Sequence, residues 1–383
     1  MRRSLLITAD FPPIVSGIST VFFNTWKFID RDKTTILAPR VDGCLEFDSL
    51  CDMNIIRRRF FLGDGMLARI LRVIAVYFYA RSILVKEKYD RLVCGQPMII
   101  GVICRLLKKQ FGIDYHVWVY GGEIIKFQHS GFLMKVLTSV LDDSEYIFVN
   151  SSYTRQIYSD FGIDENKIIM VTPAVDTDVF RPGLKIDDLV DKHSLSGKKV
   201  LLTVSRLVPR KGHDVVLKAL AVLVREIEDI VYVITGNGPD KERLTGLVKE
   251  YGLEKNVLFV GFVSDADLPR YYNLCNLYVM PNRQTSDFDT IEGFGLSFIE
   301  AGACAKPVIG GISGGSCDSV ADNHTGFLVD PENIDDLTEK IRMLLTNVSK
   351  AAEMGRNGRV RAEKEFQWSA KAGQVTECMK KGL

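Results

Sequence analysis

The sequence predicts an α/β protein made of two doubly wound domains. Three observations carry this. The 383 residues exceed what one hydrophobic core usually organises, so two domains are expected. Short apolar runs recur along the chain with helical stretches between most of them, the pattern of a parallel sheet covered by helices on both faces. The chain also opens on a strand, a loop bearing Gly17 and a helix, the first unit of a doubly wound sheet.

In the first half, residues 4–8 read as a buried strand, 9–17 as a loop with Pro12 and Pro13, and 18–29 as a helix. Further strands are expected at 35–37, 91–94, 115–120, 146–150 and 168–171. Residues 57–61 lead into a long basic helix over 66–88, in which Arg69, Arg72, Arg81, Lys86 and Lys88 mix with Leu67, Ile70, Leu71, Val73, Ile74, Val76, Tyr77 and Phe78. Its apolar side is expected to pack on the sheet. The competing reading is a surface that rests on anionic lipid. Residues 171–182 hold two prolines and look like a crossing between domains. A new strand starts at Val200, followed by strands at 231–235, 257–263, 277–280, 307–310 and 326–329. Residues 282–290 form a polar loop, and helices fill most of 334–380. The domains are therefore expected at 1–180 and 181–365, with a terminal helix over 366–383.

Composition sets the outer limits. Lys and Arg number 49 against 48 Asp and Glu, so overall charge gives no sign of a polyanionic partner, and nucleic acid is not expected. Charge is uneven, however: positions 50–110 carry twelve Lys and Arg against four Asp and Glu. The eight cysteines form no Cys-x-x-Cys pair and have no histidine at zinc spacing, which points to free thiols in a reducing cytoplasm. The start is too short for a signal peptide, and no run of 18 apolar residues exists to span a membrane.

The candidate site centres on Glu292-Gly293-Phe294-Gly295-Leu296-Ser-Phe-Ile-Glu300. Two glycines permit unusual backbone torsions and close approach to a ligand. If a helix starts near Gly295, its first turn and the positive end of its dipole suit a phosphate. Glu292 then lies on the loop before it and Glu300 one to two turns inside. Each carboxylate can accept hydrogen bonds from sugar hydroxyls. After the strand at Val200 come Arg206 and Lys211 on one loop, a fork and a point charge able to neutralise a leaving diphosphate without a metal. Gly17 is a candidate for close phosphate approach, and Tyr120-Gly121-Gly122 ends a strand. Gly236-Asn237-Gly238 lacks the third glycine of a dinucleotide fingerprint and reads as a strand-to-helix turn. His129 stands alone, with a structural or solvent role.

In order, the chain carries Arg206 and Lys211 in Ser-Arg-Leu-Val-Pro-Arg-Lys-Gly, Gly236-Asn-Gly238-Pro239, Val260-Gly-Phe-Val263, Glu292-Gly-Phe-Gly-x4-Glu300, Pro307-Val-Ile-Gly310 and Gly314-Gly315. This ordered set resembles the retaining glycosyltransferases of family four, and within them the phosphatidylinositol mannosyltransferases and related enzymes of envelope-polysaccharide assembly. The strong resemblance covers residues 200–331. It implies GT-B architecture, two Rossmann-like domains facing a cleft, with the donor held mostly by the second. It implies that Arg206 and Lys211 hold the diphosphate with amides near Gly17 and Leu296. Glu292 and the amides of Gly293, Phe294 and Gly295 would hold the transferred sugar, Glu300 the ribose, and Val263 and its neighbours the base. The terminal helix after Trp368 would cross back onto the first domain. Many relatives have His-Gly near the transferred sugar where this chain has Tyr120-Gly121; Tyr120 is kept as a candidate catalytic residue beside Glu292, Arg206 and Lys211, one that donates a hydrogen bond but takes up no proton near neutral pH.

The expectation is a hexosyltransferase that needs no metal and no cofactor beyond its nucleotide-sugar co-substrate. GDP-mannose is the first choice of donor, with a lipid-linked or glycan acceptor; the alternative is a UDP-sugar donor with a small-molecule acceptor. Retention is expected through front-face attack, and the enzyme is expected in the cytoplasm, with a peripheral position on the inner face of the membrane left open by the basic helix. Two other classes compete: a nucleotide-sugar epimerase or hydrolase on the same scaffold, and a non-catalytic glycan-binding or partner-binding protein.

Overall fold

The computed structural model describes residues 3–60, 65–285 and 291–380. Of the expected segments, Phe61 in the lead-in to the basic helix and 286–290 in the polar loop lie outside them. The chain divides into two compact units: residues 1–173 with 368–383, and residues 174–367.

The first unit is a seven-stranded parallel sheet. Its strands are β1 (Ser4–Ile7), β2 (Thr34–Pro39), β3 (Ile55–Arg58), β4 (Arg91–Cys94), β5 (Tyr115–Val119), β6 (Tyr146–Val149) and β7 (Ile168–Met170), in the order β3-β2-β1-β4-β5-β6-β7. Leu5, Leu6 and Ile7 are fully buried, because a strand covered on both faces has no solvent side. The helix after β1 spans Gly17–Trp26, and the Ser16 hydroxyl caps it by accepting from the Ser19 amide at 3.0 Å. The terminal helix Trp368–Lys380 packs against this one.

Strand β3 was not among the expected strands. Its alternation is weak, and three consecutive arginines begin inside it. Arg57, the first of the residues that lead into the basic helix, does not share the solvent with its neighbours Arg58 and Arg59. Its side chain is buried, paired with Asp48 at 2.6 Å and donating to the carbonyls of Pro12 and Pro39. Strand alternation turns Arg57 inward and leaves Arg58 exposed. The long helix spans Met66–Lys86. Val76, Ala80, Ile83 and Leu84 face the core, as expected of its apolar side. Leu67, Ile70, Leu71, Ile74 and Phe78, spaced at helical period along the opposite side, are exposed.

The second unit is a six-stranded parallel sheet of β8 (Lys199–Val204), β9 (Ile230–Thr235), β10 (Val257–Gly261), β11 (Leu277–Met280), β12 (Val308–Gly311) and β13 (Gly326–Val329), ordered β10-β9-β8-β11-β12-β13. Alternate residues feed two cores. Leu201, Tyr232, Ile234 and Val279 enter one, and Leu202, Val231, Val233 and Tyr278 the other. In both sheets the strand order reverses beside the first strand of the unit, between β1 and β4 and between β8 and β11. Doubly wound sheets bind ligands outside the carboxyl ends of their strands at such a point. Among the described residues no helix is long and apolar enough to cross a membrane.

Candidate active site

The loops leaving β8 and β11 meet at the reversal point of the second sheet. The first ends in a short 3₁₀ turn, Pro209–Lys211, and then Gly212, whose φ of +73° opens the helix His213–Leu223. A Cβ on Gly212 would lie 2.2 Å from the Pro281 carbonyl oxygen, so only glycine lets the two loops approach this closely. The Arg283 amide donates to the Arg210 carbonyl at 2.9 Å, and the Arg283 guanidinium reaches Asp214 at 2.8 Å. His213 is buried between Ser205 (2.9 Å) and the Tyr232 hydroxyl (3.0 Å). Burial and the nearby Lys211 charge push its imidazole down to about 4, so it is neutral and serves to fix the loop.

This junction brings Glu292 onto two cations. Arg210 Nη1 lies 2.8 Å from Glu292 Oε2, and Lys211 Nζ bonds the same oxygen. All three side chains are largely withdrawn from water, Glu292 and Lys211 with 8% and 9% exposure. Burial raises the Glu292 carboxyl, but Lys211 and then Arg210 outweigh it and hold it below its ordinary value, so it is ionised at neutral pH. The backbone of Glu292 is fixed from behind, its carbonyl accepting from the Gly315 amide at 2.8 Å.

A helix does begin beside Gly295. It spans Leu296–Ala303, and Gly295 precedes it with φ +85°, where a Cβ would collide with Phe298 at 2.5 Å. Phe294 is buried and packs edge-on against Phe366 at 5.7 Å, and the main chain of 293–294 lies against Gly315, where a Cβ would come within 2.1 Å of the Gly293 carbonyl oxygen. Glu300 sits in the second turn, and the fully buried Tyr272 donates to its Oε2 at 2.6 Å. Burial drives the Glu300 carboxyl up to about 7, with Tyr272 opposing and Asp265 adding.

Arg206 is exposed on the β8 loop. Gly236-Asn237-Gly238 is the strand-to-helix turn expected of it. It packs on this loop, the Leu207 amide donating to the Asn237 carbonyl at 3.0 Å. Val263 is half-buried and packs against a core cluster, beside the exposed Phe262.

Arg206, Lys211, Glu292–Leu296, Glu300 and Val263 therefore belong to the second unit, and Gly17 and Tyr120 to the first. Within the first unit those two share one edge of the sheet. The Tyr120 hydroxyl donates to the Gly95 carbonyl at 3.0 Å. The next residue, Gln96, reaches Asp10 at 3.1 Å, and Asp10 accepts from Ser16, the residue before Gly17, at 3.2 Å. Burial raises both the Tyr120 phenol and the Asp10 carboxyl.

Sequence reading missed Arg210, Asp10, Gln96, Tyr272 and Asn282. Asn282 is fully buried, donates to Ser313 and Ser316 and accepts from Gly311, which anchors the start of the β11 loop. Its sequence signal is weak, an asparagine two residues past the strand end at the head of a polar loop. Among the described residues no group of three or more His, Cys, Asp or Glu side chains is arranged to hold a metal ion.

Residues 185–361 match the family described as glycosyl transferases group 1. The chain is 29% identical to the GDP-mannose-dependent alpha-(1-6)-phosphatidylinositol monomannoside mannosyltransferase of Mycobacterium tuberculosis, over 99% of this chain and 98% of that one. It is 27% identical, over the same shares, to the GDP-mannose-dependent monoacylated alpha-(1-6)-phosphatidylinositol monomannoside mannosyltransferase of Corynebacterium glutamicum. Among solved structures it resembles Anabaena Alr3699/HepE in complex with UDP and glucose, with a TM-score of 0.83 at 18% identity over the whole of both chains.

Proposed function

The chain is a glycosyltransferase of GT-B fold with a group 1 glycosyl transferase domain in its second unit, and from that premise we propose that it transfers mannose from GDP-mannose to a lipid-linked or glycan acceptor. Two curated relatives of nearly equal length bear names specifying that donor and a phosphatidylinositol mannoside acceptor, which supports the choice. The observation that carries the reading is the Arg210–Glu292–Lys211 cluster at the head of the helix Leu296–Ala303. One buried carboxylate faces two cations there, so the site holds a surplus positive charge where a diphosphate would leave.

Cleavage of a glycosyl–phosphate bond builds negative charge on the diphosphate and positive charge on the sugar ring. Arg206, Lys211 and the helix N-terminus stabilise the first. Ionised Glu292 accepts hydrogen bonds from the sugar hydroxyls, and Glu300 accepts from the ribose. Fixed protein cations do the work a metal ion does elsewhere, so no metal is required in this reading. The acceptor oxygen attacks from the face the diphosphate leaves. The departing phosphate takes the acceptor's proton as the new glycosidic bond forms, and the anomeric configuration is retained.

The first unit is assigned to the acceptor. The exposed stripe of Leu67, Ile70, Leu71, Ile74 and Phe78, with exposed Arg58, Arg59, Arg81, Lys86 and Lys88 around it, is assigned to peripheral contact with anionic lipid. Each such cation contributes roughly 1 kcal/mol near that surface.

A thermal-shift series with GDP-sugars and UDP-sugars tests the donor, since a ligand that binds the folded state raises its melting temperature. GDP-mannose is expected to give the largest shift. Transfer to a phosphatidylinositol mannoside should persist in EDTA and yield an α-linked product. No shift with any nucleotide-sugar, donor turnover that does not depend on acceptor, or loss of transfer in EDTA would each overturn its part of the reading. For the membrane, Phe78→Ser with Ile74→Ser should lower sedimentation with phosphatidylglycerol vesicles and leave soluble turnover intact; unchanged sedimentation refutes that assignment.

A further inference from the structure

Arg210 has no role in the account above beyond its pairing with Glu292, yet its placement sets it apart from the neighbouring Lys211. Both cations bond the same carboxylate oxygen. Their freedom differs. Both main chains are pinned, the Arg210 carbonyl accepting from the Arg283 amide at 2.9 Å and the Lys211 amide donating to the Val208 carbonyl at 3.0 Å, so the difference lies in the side chains. The Arg210 guanidinium is a rigid planar fork. Lys211 carries a point charge on a flexible four-carbon stem with three rotatable donors.

An arriving diphosphate competes with Glu292 for these cations. If Lys211 were the carboxylate's sole partner, turning to the phosphate would strand a buried negative charge, and that charge would either recapture the ammonium or take up a proton. A second cation already seated on the same oxygen removes this conflict. We propose that Arg210 is a positioning residue, the standing counter-ion that keeps Glu292 ionised and in place while Lys211 turns to the donor's diphosphate. This rests on the nucleotide-sugar reading of the site.

The test titrates GDP and GMP into the full-length protein and into Arg210→Gln by calorimetry, and follows kcat and KM for GDP-mannose across pH. Wild type is expected to prefer GDP over GMP through its extra phosphate. In Arg210→Gln that preference should shrink at least fivefold, because Lys211 stays with Glu292. The acid limb of kcat/KM should move to higher pH, because the carboxylate has lost a cation that favours its charged form. Arg210→Lys should restore much of both. Arg210→Met, which keeps the apolar stem, carries the same expectation should the Gln variant fold poorly. A diphosphate preference and an acid limb unchanged in the folded Gln or Met variant overturn the proposal for Arg210. A wild type that prefers GDP no more than GMP, and UDP no more than UMP, instead overturns the nucleotide-sugar reading beneath it.

Discussion

Replacing Glu300 by Gln removes a charge that the fold tolerates poorly. The carboxyl is pushed up to about 7 from an ordinary 4.5, first by burial, with Asp265 adding and the Tyr272 hydroxyl opposing. The folded value lies above the unfolded one, so the stability it contributes is fully present below about pH 4.5 and is lost as pH rises through 7. Between these values the unfolded chain has released a proton that the folded chain still holds. Each pH unit in that window costs about 1.4 kcal/mol, which brings the loss to ~3 kcal/mol above neutrality. Gln has no such dependence. Glu300→Gln should therefore melt with wild type near pH 4 and later than it at pH 8. For a unit of this size the gap converts to about 6–12 °C. Scanning calorimetry is the assay, since Trp26, Trp118 and Trp368 all lie in the first unit and the second carries no tryptophan of its own. The same variant should gain less stability from GDP, because an amide is a weaker acceptor for ribose hydroxyls than a carboxylate. A melting difference that stays constant from pH 4 to 8 would refute the argument, as would one that shrinks with rising pH.

Arg206→Ala and Lys211→Ala should each lower turnover at least tenfold, in the range seen when one donor to a developing anion is removed. Circular dichroism should show both folds intact, and near-normal turnover in both would remove the phosphate clamp. Gly295→Ala forces a Cβ to within 2.5 Å of Phe298 at φ +85° and should destabilise the second unit by roughly 1–3 kcal/mol, read as an earlier calorimetric transition. Arg57→Ala breaks a buried pair with Asp48 and should cost the first unit about 3–5 kcal/mol, visible in tryptophan fluorescence during denaturant unfolding. A neutral result there would mean that Arg57 is held by its surroundings more than it holds them.

What the chain determines by itself is local. The run Leu277–Met280 was legible as a strand because a short apolar run between Asn276 and Pro281 is too brief for a helix and has few other ways to leave water. A helix start near Gly295 was legible because glycine there permits unusual torsions; the left-handed one it adopts came from the structure. Glu292, Glu300, Arg206 and Lys211 could be singled out because their residue types and their order suit a diphosphate and a sugar. The tertiary structure decided which charges meet. Arg210 and Glu292 are 82 residues apart, and Tyr272 and Glu300 are 28 apart; nothing in linear order says that either pair shares a bond. It also decided that Arg57 turns inward while Arg58 faces solvent, because a strand's register is set by its neighbour β2 and not by its own three arginines. Short-range sterics and hydrophobic pattern act between adjacent residues and are written along the chain. Electrostatic pairing acts through space, so it exists only once the sheet has brought distant loops to one edge.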